Sequence, residues 1–107
     1  MPNDHLRGHL DLLLLSVLSR GPAHGYAVIA ALRAHSGDAV DLPEGTVYPA
    51  LHRLERAGLL VSQWDDGTAR RRRRYEITPA GTAALAARRD EWRSFAGGVQ
   101  AILRWAT

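Results

Sequence analysis

The sequence has no cysteine, no lysine and no long hydrophobic run, and each absence excludes a class of structure. Without cysteine there are no disulfides, thiolate metal sites or cysteine nucleophiles. Without lysine, all 14 basic residues are arginine, whose planar fork matches phosphates and guanine edges. The run of four leucines, Leu12–Leu15, is far too short to span a bilayer and lacks the charged lead and cleavage site of a signal peptide. We therefore expect a soluble cytoplasmic protein.

Length and charge bound what such a chain can be. Its 107 residues suit one domain, and a hydrophobic content of 46% is enough for folding. The formal net charge is only +3, but residues 1–43 carry three arginines against four acids, whereas residues 44–78 carry seven arginines against five acids. Residues 79–107 carry four arginines against two acids. The middle segment includes five consecutive arginines, and this clustering is consistent with a nucleic-acid partner.

Hydrophobic periodicity predicts two helices before a short connector. Apolar residues recur at helical spacing over residues 5–19, and the Gly21-Pro22 pair follows that helix. A second helix is predicted from about His24 to His35, with Gly37 as its stop. The connector is predicted to extend from Asp38 to Pro43.

A third, shorter helix is predicted from Thr46 to Ala57, closed by Gly58. With Thr46 as the N-cap, Pro49 falls in the first turn, where its missing N–H does no harm. A start at Glu44 is the alternative, and it would distort the first turn.

A β-hairpin and a long helix are predicted to complete the chain. The strands are predicted at Leu60–Trp64 and Arg72–Thr78, joined by a turn at Asp66-Gly67. Thr78-Pro79 is a typical cap and first helical position, so the last helix is predicted to start there and extend to Arg104. The predicted fold class is mainly α with a small β-hairpin.

The outer face of the third helix and the arginine run are the candidate DNA contacts. The major groove of B-DNA admits one α-helix, and arginine, histidine, threonine and tyrosine can contact bases or phosphates there. Taken alone, this polar face is more typical of an ordinary solvated surface. Consecutive arginines on a strand crowd like charges, however, and this favours a bound anion. The candidate DNA-binding residues are Thr46, Tyr48, His52, Arg53, Arg56, Arg70, Arg71, Arg72, Arg73 and Arg74.

Six segments, in their order along the chain, resemble the PadR family of repressors. They are Leu6–Leu10, Gly21–Tyr26, Gly45–Leu51, Arg53–Glu55, Ala57–Leu60 and Arg73–Gly81. The resemblance implies a winged helix-turn-helix over residues 1–78 and a C-terminal dimerisation helix over residues 79–107, in one continuous domain. It also implies a homodimer that binds double-stranded operator DNA, represses a nearby operon and is released by a small ligand.

The last helix has an apolar stripe that predicts dimerisation. Leu85, Trp92, Val99 and Ala106 recur every seven residues, and the stripe is longer than any partner surface in so small a domain. Packing on the chain's own first helix is the alternative, and both can hold. Gly97-Gly98 weakens the middle of this helix, so a bend or an earlier end is possible there. The candidate dimerisation residues are Leu6, Leu10, Leu85, Trp92, Phe95, Val99, Ile102 and Leu103.

Trp92 is also the candidate ligand-binding residue. In multidrug-sensing members of the PadR family, a tryptophan at the matching position stacks flat aromatic ligands between subunits. The resemblance therefore implies this role for Trp92, with Phe95 and Leu13 lining the wall. A large aromatic that only anchors the interface is the more common case.

Other classes of function find little support. His5 and His9 have a spacing that can bind zinc, but no third ligand is close in sequence, so neither a metal nor another cofactor is predicted. No glycine-rich phosphate loop, nucleophile elbow or paired-carboxylate pattern is present, so the chain is not predicted to be an enzyme. A winged-helix protein–protein adaptor is the main alternative. Single-stranded nucleic-acid binding would need more exposed aromatic residues than the chain offers.

Overall fold

The computed structural model describes residues 9–65 and 72–107, which are mainly helical with one small sheet. In chain order, the elements are α1 (Leu10–Leu18), β1 (Ala23–His24), α2 (Gly25–His35), α3 (Glu44–Arg56), β2 (Leu60–Asp65), β3 (Arg72–Ile77) and α4 (Pro79–Ala106). The predicted combination of helices, a small hairpin and a long C-terminal helix is confirmed.

The core lies between the first three helices, the sheet and the start of α4. Helix α1 supplies the centre, with Leu14 and Leu15 fully buried. Against them pack Val28 of α2 and Leu51 of α3, also fully buried. The remaining large buried side chains are Leu10, Leu18, Leu32, Leu42, Val47, Leu54, Leu60, Tyr75 and Leu85.

The sheet has three antiparallel strands in the order β1-β3-β2. Tyr75 of the central strand lies opposite Ala23 on one side and Ser62 on the other, and its ring is buried. The sequence did not predict β1, because two residues are too few for an alternating pattern. This strand fixes the start of α2: His24 has extended backbone angles (φ −76°, ψ 156°), so α2 begins one residue later than predicted.

Helix α3 starts at Glu44, which is the second of the two starts that the sequence left open, so Thr46 is not its N-cap. Pro43 is the N-cap, and its carbonyl already accepts hydrogen bonds from the backbone N–H groups of Thr46 (3.0 Å) and Val47 (3.1 Å). The first of these is an i−3 bond, so the first turn is tightened, as expected for the earlier start. Pro49 consequently lies inside the helix and leaves the carbonyl of Gly45 without its usual donor. Gly45 is exposed, so water can satisfy that carbonyl.

The end of α3 and the start of α4 meet at one junction. Gly58, at φ +81°, closes α3, and the N–H of Leu59 donates to the carbonyl of Leu54 (3.0 Å), as in a Schellman motif. Thr78 joins the two elements, because its hydroxyl donates to the Gly58 carbonyl (2.7 Å) and accepts from the N–H of Gly81 (3.0 Å). The predicted cap at Thr78 is confirmed.

The other element bounds differ from the predictions in small ways. Helix α1 starts at Leu10, since His9 has non-helical angles (φ −119°, ψ 5°), and residues 5–8 lie outside the described ranges. Strand β2 extends to Asp65, whereas β3 ends one residue before the capping Thr78. The predicted turn at Asp66-Gly67 also lies outside the described residues.

Helix α4 is continuous through Gly97-Gly98, without a bend that ends it, and it passes Arg104 to finish at Ala106. Its 28 residues give a length of roughly 42 Å, most of the molecule's longest extent of 55 Å. Its first turns pack on α1, whereas its C-terminal half extends beyond the core, with every residue from Gly97 onwards exposed.

Candidate nucleic-acid interface

Helix α3 presents one exposed face, formed by Gly45, Pro49, His52 and Arg56. These residues are four, three and four positions apart and therefore share one side of the helix. Val47, Ala50, Leu51 and Leu54 occupy the opposite side and are buried. Of the predicted contacts, His52 and Arg56 thus point outward. Thr46, Tyr48 and Arg53 lie on the flanks of this face.

Tyr48 lies on the flank that faces the start of α2. Its ring occupies the space where a side chain at position 25 would be: a β-carbon on Gly25 would lie 2.5 Å from Cε1 and 2.9 Å from the hydroxyl oxygen of Tyr48. Gly25 itself is buried. The ring is therefore held against the backbone of α2, and its position depends on the absence of a side chain there.

Arg53 lies on the other flank and is paired with Asp11 of α1. Its Nη2 donates to Oδ1 of Asp11 (2.7 Å) and its Nη1 to Oδ2 (3.1 Å), a bidentate pair. The hydrogen bonds from Arg53 to Asp11 raise the pKa of the guanidinium further above its ordinary value. Arg88 of α4 approaches the same carboxylate, with Nη2 3.4 Å from Oδ2. Asp11 therefore connects three helices.

Arg73 is part of a hydrogen-bonded chain that connects the sheet to α3. Its Nε donates to the Ser62 hydroxyl (2.9 Å), which donates in turn to Oε2 of Glu55 (2.6 Å). The guanidinium also lies 4.9 Å from the ring centroid of Trp64. Arg73 shares the core-facing side of β3 with Tyr75, whose pKa is raised by burial and, to a smaller extent, by the nearby charge of Glu55.

Arg72 and Arg74 share the opposite face of β3. Arg74 is exposed, and it has no hydrogen-bond or ion-pair partner in the described part of the chain. Arg72 is half-buried, and its Nε finds no hydrogen-bond partner there. The two remaining arginines of the run, Arg70 and Arg71, lie outside the described residues. On the same sheet, His24 Nε2 lies 3.1 Å from Oδ2 of Asp65, which joins the two outer strands.

The C-terminal half of α4 carries an exposed apolar stripe. The exposed fractions of Trp92, Phe95 and Ile102 are 41%, 61% and 63%, and those of Val99 and Leu103 are 38% and 59%. Leu10 and Leu85, by contrast, are buried within the chain's own core, so they are not part of this free surface. Leu6 lies outside the described residues. The candidate dimer surface thus begins at Trp92.

Trp92 also lines a small cavity beside α1. Its ring contacts that of His9 edge-on, with centroids 4.8 Å apart, and the ring of Phe95 is 6.1 Å away. The cavity measures about 90 Å³ and is lined by His9, Leu12, Arg88, Glu91 and Trp92. Leu13, predicted as part of the wall, does not line it and packs on the core. Ligand pockets usually reach roughly 300 Å³, so one subunit does not enclose a flat aromatic ligand.

Among residues 9–65 and 72–107, no three His, Asp or Glu side chains come together as a metal site. The helices described there include none with both the length and the apolarity to cross a membrane.

Several of these relationships were not predicted from the sequence. Asp11 is a single acid beside a leucine run, 42 positions before Arg53, and nothing local marks it as a partner. Gly25 and Tyr48 are likewise distant in sequence. For Arg73, the sequence predicts only which face of β3 it occupies, because strand alternation places it with Tyr75 rather than with Arg74.

The chain resembles known transcriptional regulators in both sequence and structure. The model of the PadR-like family of transcriptional regulators matches residues 14–87. A transcriptional regulator of Mycobacterium tuberculosis is 40% identical over 79 residues, which are 74% of this chain and 71% of that protein.

Solved structures agree over more of the chain. A transcriptional regulator from Clostridium thermocellum superposes with a TM-score of 0.84 at 31% identity, covering 91% of this chain and 95% of that one. A PadR family regulator from Eggerthella lenta gives 0.79 at 38% identity, covering 91% and 83%. The fold is therefore the winged helix of these regulators. The chain belongs to the PadR-like family of transcriptional regulators, whose members bind DNA.

Proposed function

We propose that two copies of this chain bind operator DNA in the cytoplasm, repress transcription there, and are released by a small flat aromatic ligand. Membership of a family of DNA-binding regulators supports DNA binding and the regulation of transcription. The remaining claims, from repression to the individual contacts, rest on the geometry of α3, the sheet and α4.

The observation that carries the proposal is the outward face of α3, which the exposed Arg74 of β3 supplements. In it His52 and Arg56 enter the major groove, with Thr46 and Tyr48 at its edges. Arg56 has no ion-pair partner among the described residues, so its fork is available for a guanine edge or a phosphate. Arg74 is equally unpaired there and would contact the DNA backbone.

The other candidate arginines differ in whether another side chain already binds them. Arg70, Arg71 and Arg72 would add backbone contacts along the arginine run. Arg53 and Arg73 are engaged by Asp11 and Ser62, so they reach DNA only by exchanging partners.

The exposed stripe of α4 supports a dimer. A second copy would cover Trp92, Phe95, Val99, Ile102 and Leu103, side chains that otherwise remain in water at a cost. A two-fold dimer places two α3 helices on one face of a duplex. We therefore expect a pseudo-palindromic operator with half-sites about one helical turn apart.

The proposed ligand site lies at Trp92, where a partner subunit would close the cavity. A flat aromatic molecule would stack on the Trp92 ring, with Phe95 beside it. Trp92→Ala should then abolish ligand binding in calorimetry, whereas Trp105→Ala, which removes an exposed ring of the same helix, should leave it unchanged. Equal affinity of all three proteins would contradict this site.

Footprinting of the DNA upstream of the chain's own gene tests the whole proposal. Protection of a palindromic segment, lost on addition of planar aromatic compounds, is the expected result. A protein–protein adaptor would give no footprint, and its arginines would instead bind an acidic protein surface.

A further inference from the structure

Asp11 occupies the atoms that Arg53 would use to bind DNA. Both terminal nitrogens of Arg53 are hydrogen-bonded to the two oxygens of this one carboxylate, at 2.7 and 3.1 Å. The Asp11 side chain is only 14% exposed, whereas that of Arg53 is 52% exposed. The carboxylate is thus held in place by α1, and the arginine is the partner that can move.

Binding to Asp11 and bidentate binding to DNA exclude each other for this side chain. Arginine recognises phosphate oxygens, and the O6 and N7 atoms of guanine, through the same fork that recognises a carboxylate. DNA must therefore displace Asp11 before it can gain Arg53 as a contact. Arg56, one turn further on, carries no such restraint.

A second arginine shares the carboxylate from α4. Arg88 Nη2 lies 3.4 Å from Oδ2 of Asp11, the oxygen that also accepts from Arg53 Nη1. One negative charge between two positive charges holds each of them less firmly than it would hold one alone. Arg88 also lines the cavity beside Trp92, so a change on this face of α4 reaches the carboxylate directly.

We infer that Asp11 is an intramolecular competitor of DNA for Arg53, and that Arg88 sets the strength of this competition. The inference rests on the proposed DNA binding and deepens it: Asp11 lowers DNA affinity without touching DNA. Movement of α4 that removes Arg88 from Asp11 leaves the carboxylate to Arg53 alone and weakens DNA binding.

Asp11→Asn tests the competition, because it removes the charge and keeps the shape. The duplex affinity should rise about tenfold, and the salt slope, the dependence of log Kd on log salt concentration, should steepen by about one phosphate contact. Asp90→Asn is the matched control: it makes the same charge change on α4, where Asp90 is exposed and has no ion pair among the described residues. The gain should exceed that of the control and should disappear in the Asp11→Asn, Arg53→Gln double variant.

Arg88→Gln tests the control by α4 and leaves Asp11 in place. Affinity should fall about two- to fivefold relative to Arg89→Gln, which removes a neighbouring exposed arginine with no ion pair there. On the Asp11→Asn background, Arg88→Gln and Arg89→Gln should become equal. Thermal unfolding of each variant separates these effects from loss of fold.

The outcomes distinguish this inference from the proposed function. If the wild type binds duplex DNA but Asp11→Asn is no tighter than Asp90→Asn, the competition is overturned and DNA binding stands. Should Asp11→Asn fail to fold, equal affinity of Arg88→Gln and Arg89→Gln would overturn it instead. If the wild type binds no duplex, the proposed function itself fails, and with it the competition, because no DNA is bound for Asp11 to compete with.

Discussion

Tyr48 of α3 packs over the bare α-carbon of Gly25 at the start of α2. A β-carbon at position 25 would lie 2.5 Å from Cε1 and 2.7 Å from Cζ of the ring. The backbone of α2 at Gly25 therefore defines where the Tyr48 ring lies, at the edge of the candidate DNA surface. This contact is specific enough to test by adding one methyl group.

Gly25→Ala should displace Tyr48 with little loss of stability. The contacted atoms are the far end of a side chain that can rotate, so the ring can move away without a shift of the backbone. DNA affinity should fall by roughly 1–3 kcal/mol if Tyr48 contacts DNA. Fluorescence anisotropy and thermal unfolding measure the two effects separately.

Gly97→Ala is the control for this substitution. A β-carbon on Gly97 meets nothing within 4 Å, so this variant should gain stability and keep wild-type DNA affinity. Gly25→Ala should also have no further effect on affinity in a Tyr48→Ala background. An additive loss there would show that the methyl group acts through something other than Tyr48.

Substitutions of arginines on opposite faces of β3 should affect different properties, DNA binding on one face and stability on the other. Arg74→Ala should leave the unfolding temperature unchanged and reduce the salt slope of DNA binding by about one. Arg73→Ala should lower the unfolding temperature, because it removes the hydrogen bond to Ser62 and the contact with Trp64. Arg104→Ala, far along α4, is the control for loss of one positive charge. A destabilised Arg74→Ala would show that its guanidinium is not free.

Disruption of the α4 stripe should produce monomers. Phe95→Asp places a charge where the proposed partner helix packs, and sedimentation should then give half the wild-type mass. Ser94→Asp introduces the same charge on the opposite side of the helix and should remain dimeric. Both variants should keep their helical content, since Phe95 is 61% exposed within one chain and its loss leaves the core intact. A monomeric wild type would contradict the dimer.

Alkaline pH should destabilise the fold through Tyr75. Its ordinary pKa is 10.0, and burial raises the pKa in the folded state. Above pH 10.0, the unfolded chain therefore loses this proton while the folded chain keeps it, so the free energy of unfolding falls as pH rises towards the folded-state pKa. Chemical denaturation at several pH values should show this decline, weaker in Tyr75→Phe. Tyr26→Phe, at an exposed position, should behave like the wild type.

Local signals in the sequence predicted much of the fold. Thr78-Pro79 marked the start of α4, and Gly58 the end of α3, because caps depend on residues a few positions apart. The sequence left the start of α3 open between Glu44 and Thr46, since Thr46 is a good cap by type but the carbonyl of Pro43 already accepts the first helical bonds. Strand β1 was missed because it owes its existence to pairing with β3, some fifty residues later.

The candidate site also has one part that local sequence signals predict and another that depends on tertiary structure. Its outward residues, His52 and Arg56, follow from helical periodicity. The pairing of Arg53 with Asp11 does not, because it depends on how α1 crosses α3. Composition placed both arginines of α3 in one class, and tertiary structure separates a free one from a restrained one.

The salt dependence of duplex binding shows whether α3 and the arginines of the sheet hold DNA. Anisotropy titrations of the wild type, Arg56→Ala and Arg74→Ala should be made with one upstream duplex between about 50 and 200 mM salt. We expect a wild-type affinity that falls steeply and linearly on logarithmic axes, with a smaller slope for Arg74→Ala and weaker binding for Arg56→Ala. Absence of binding at the lowest salt, or identical curves for all three proteins, would contradict it.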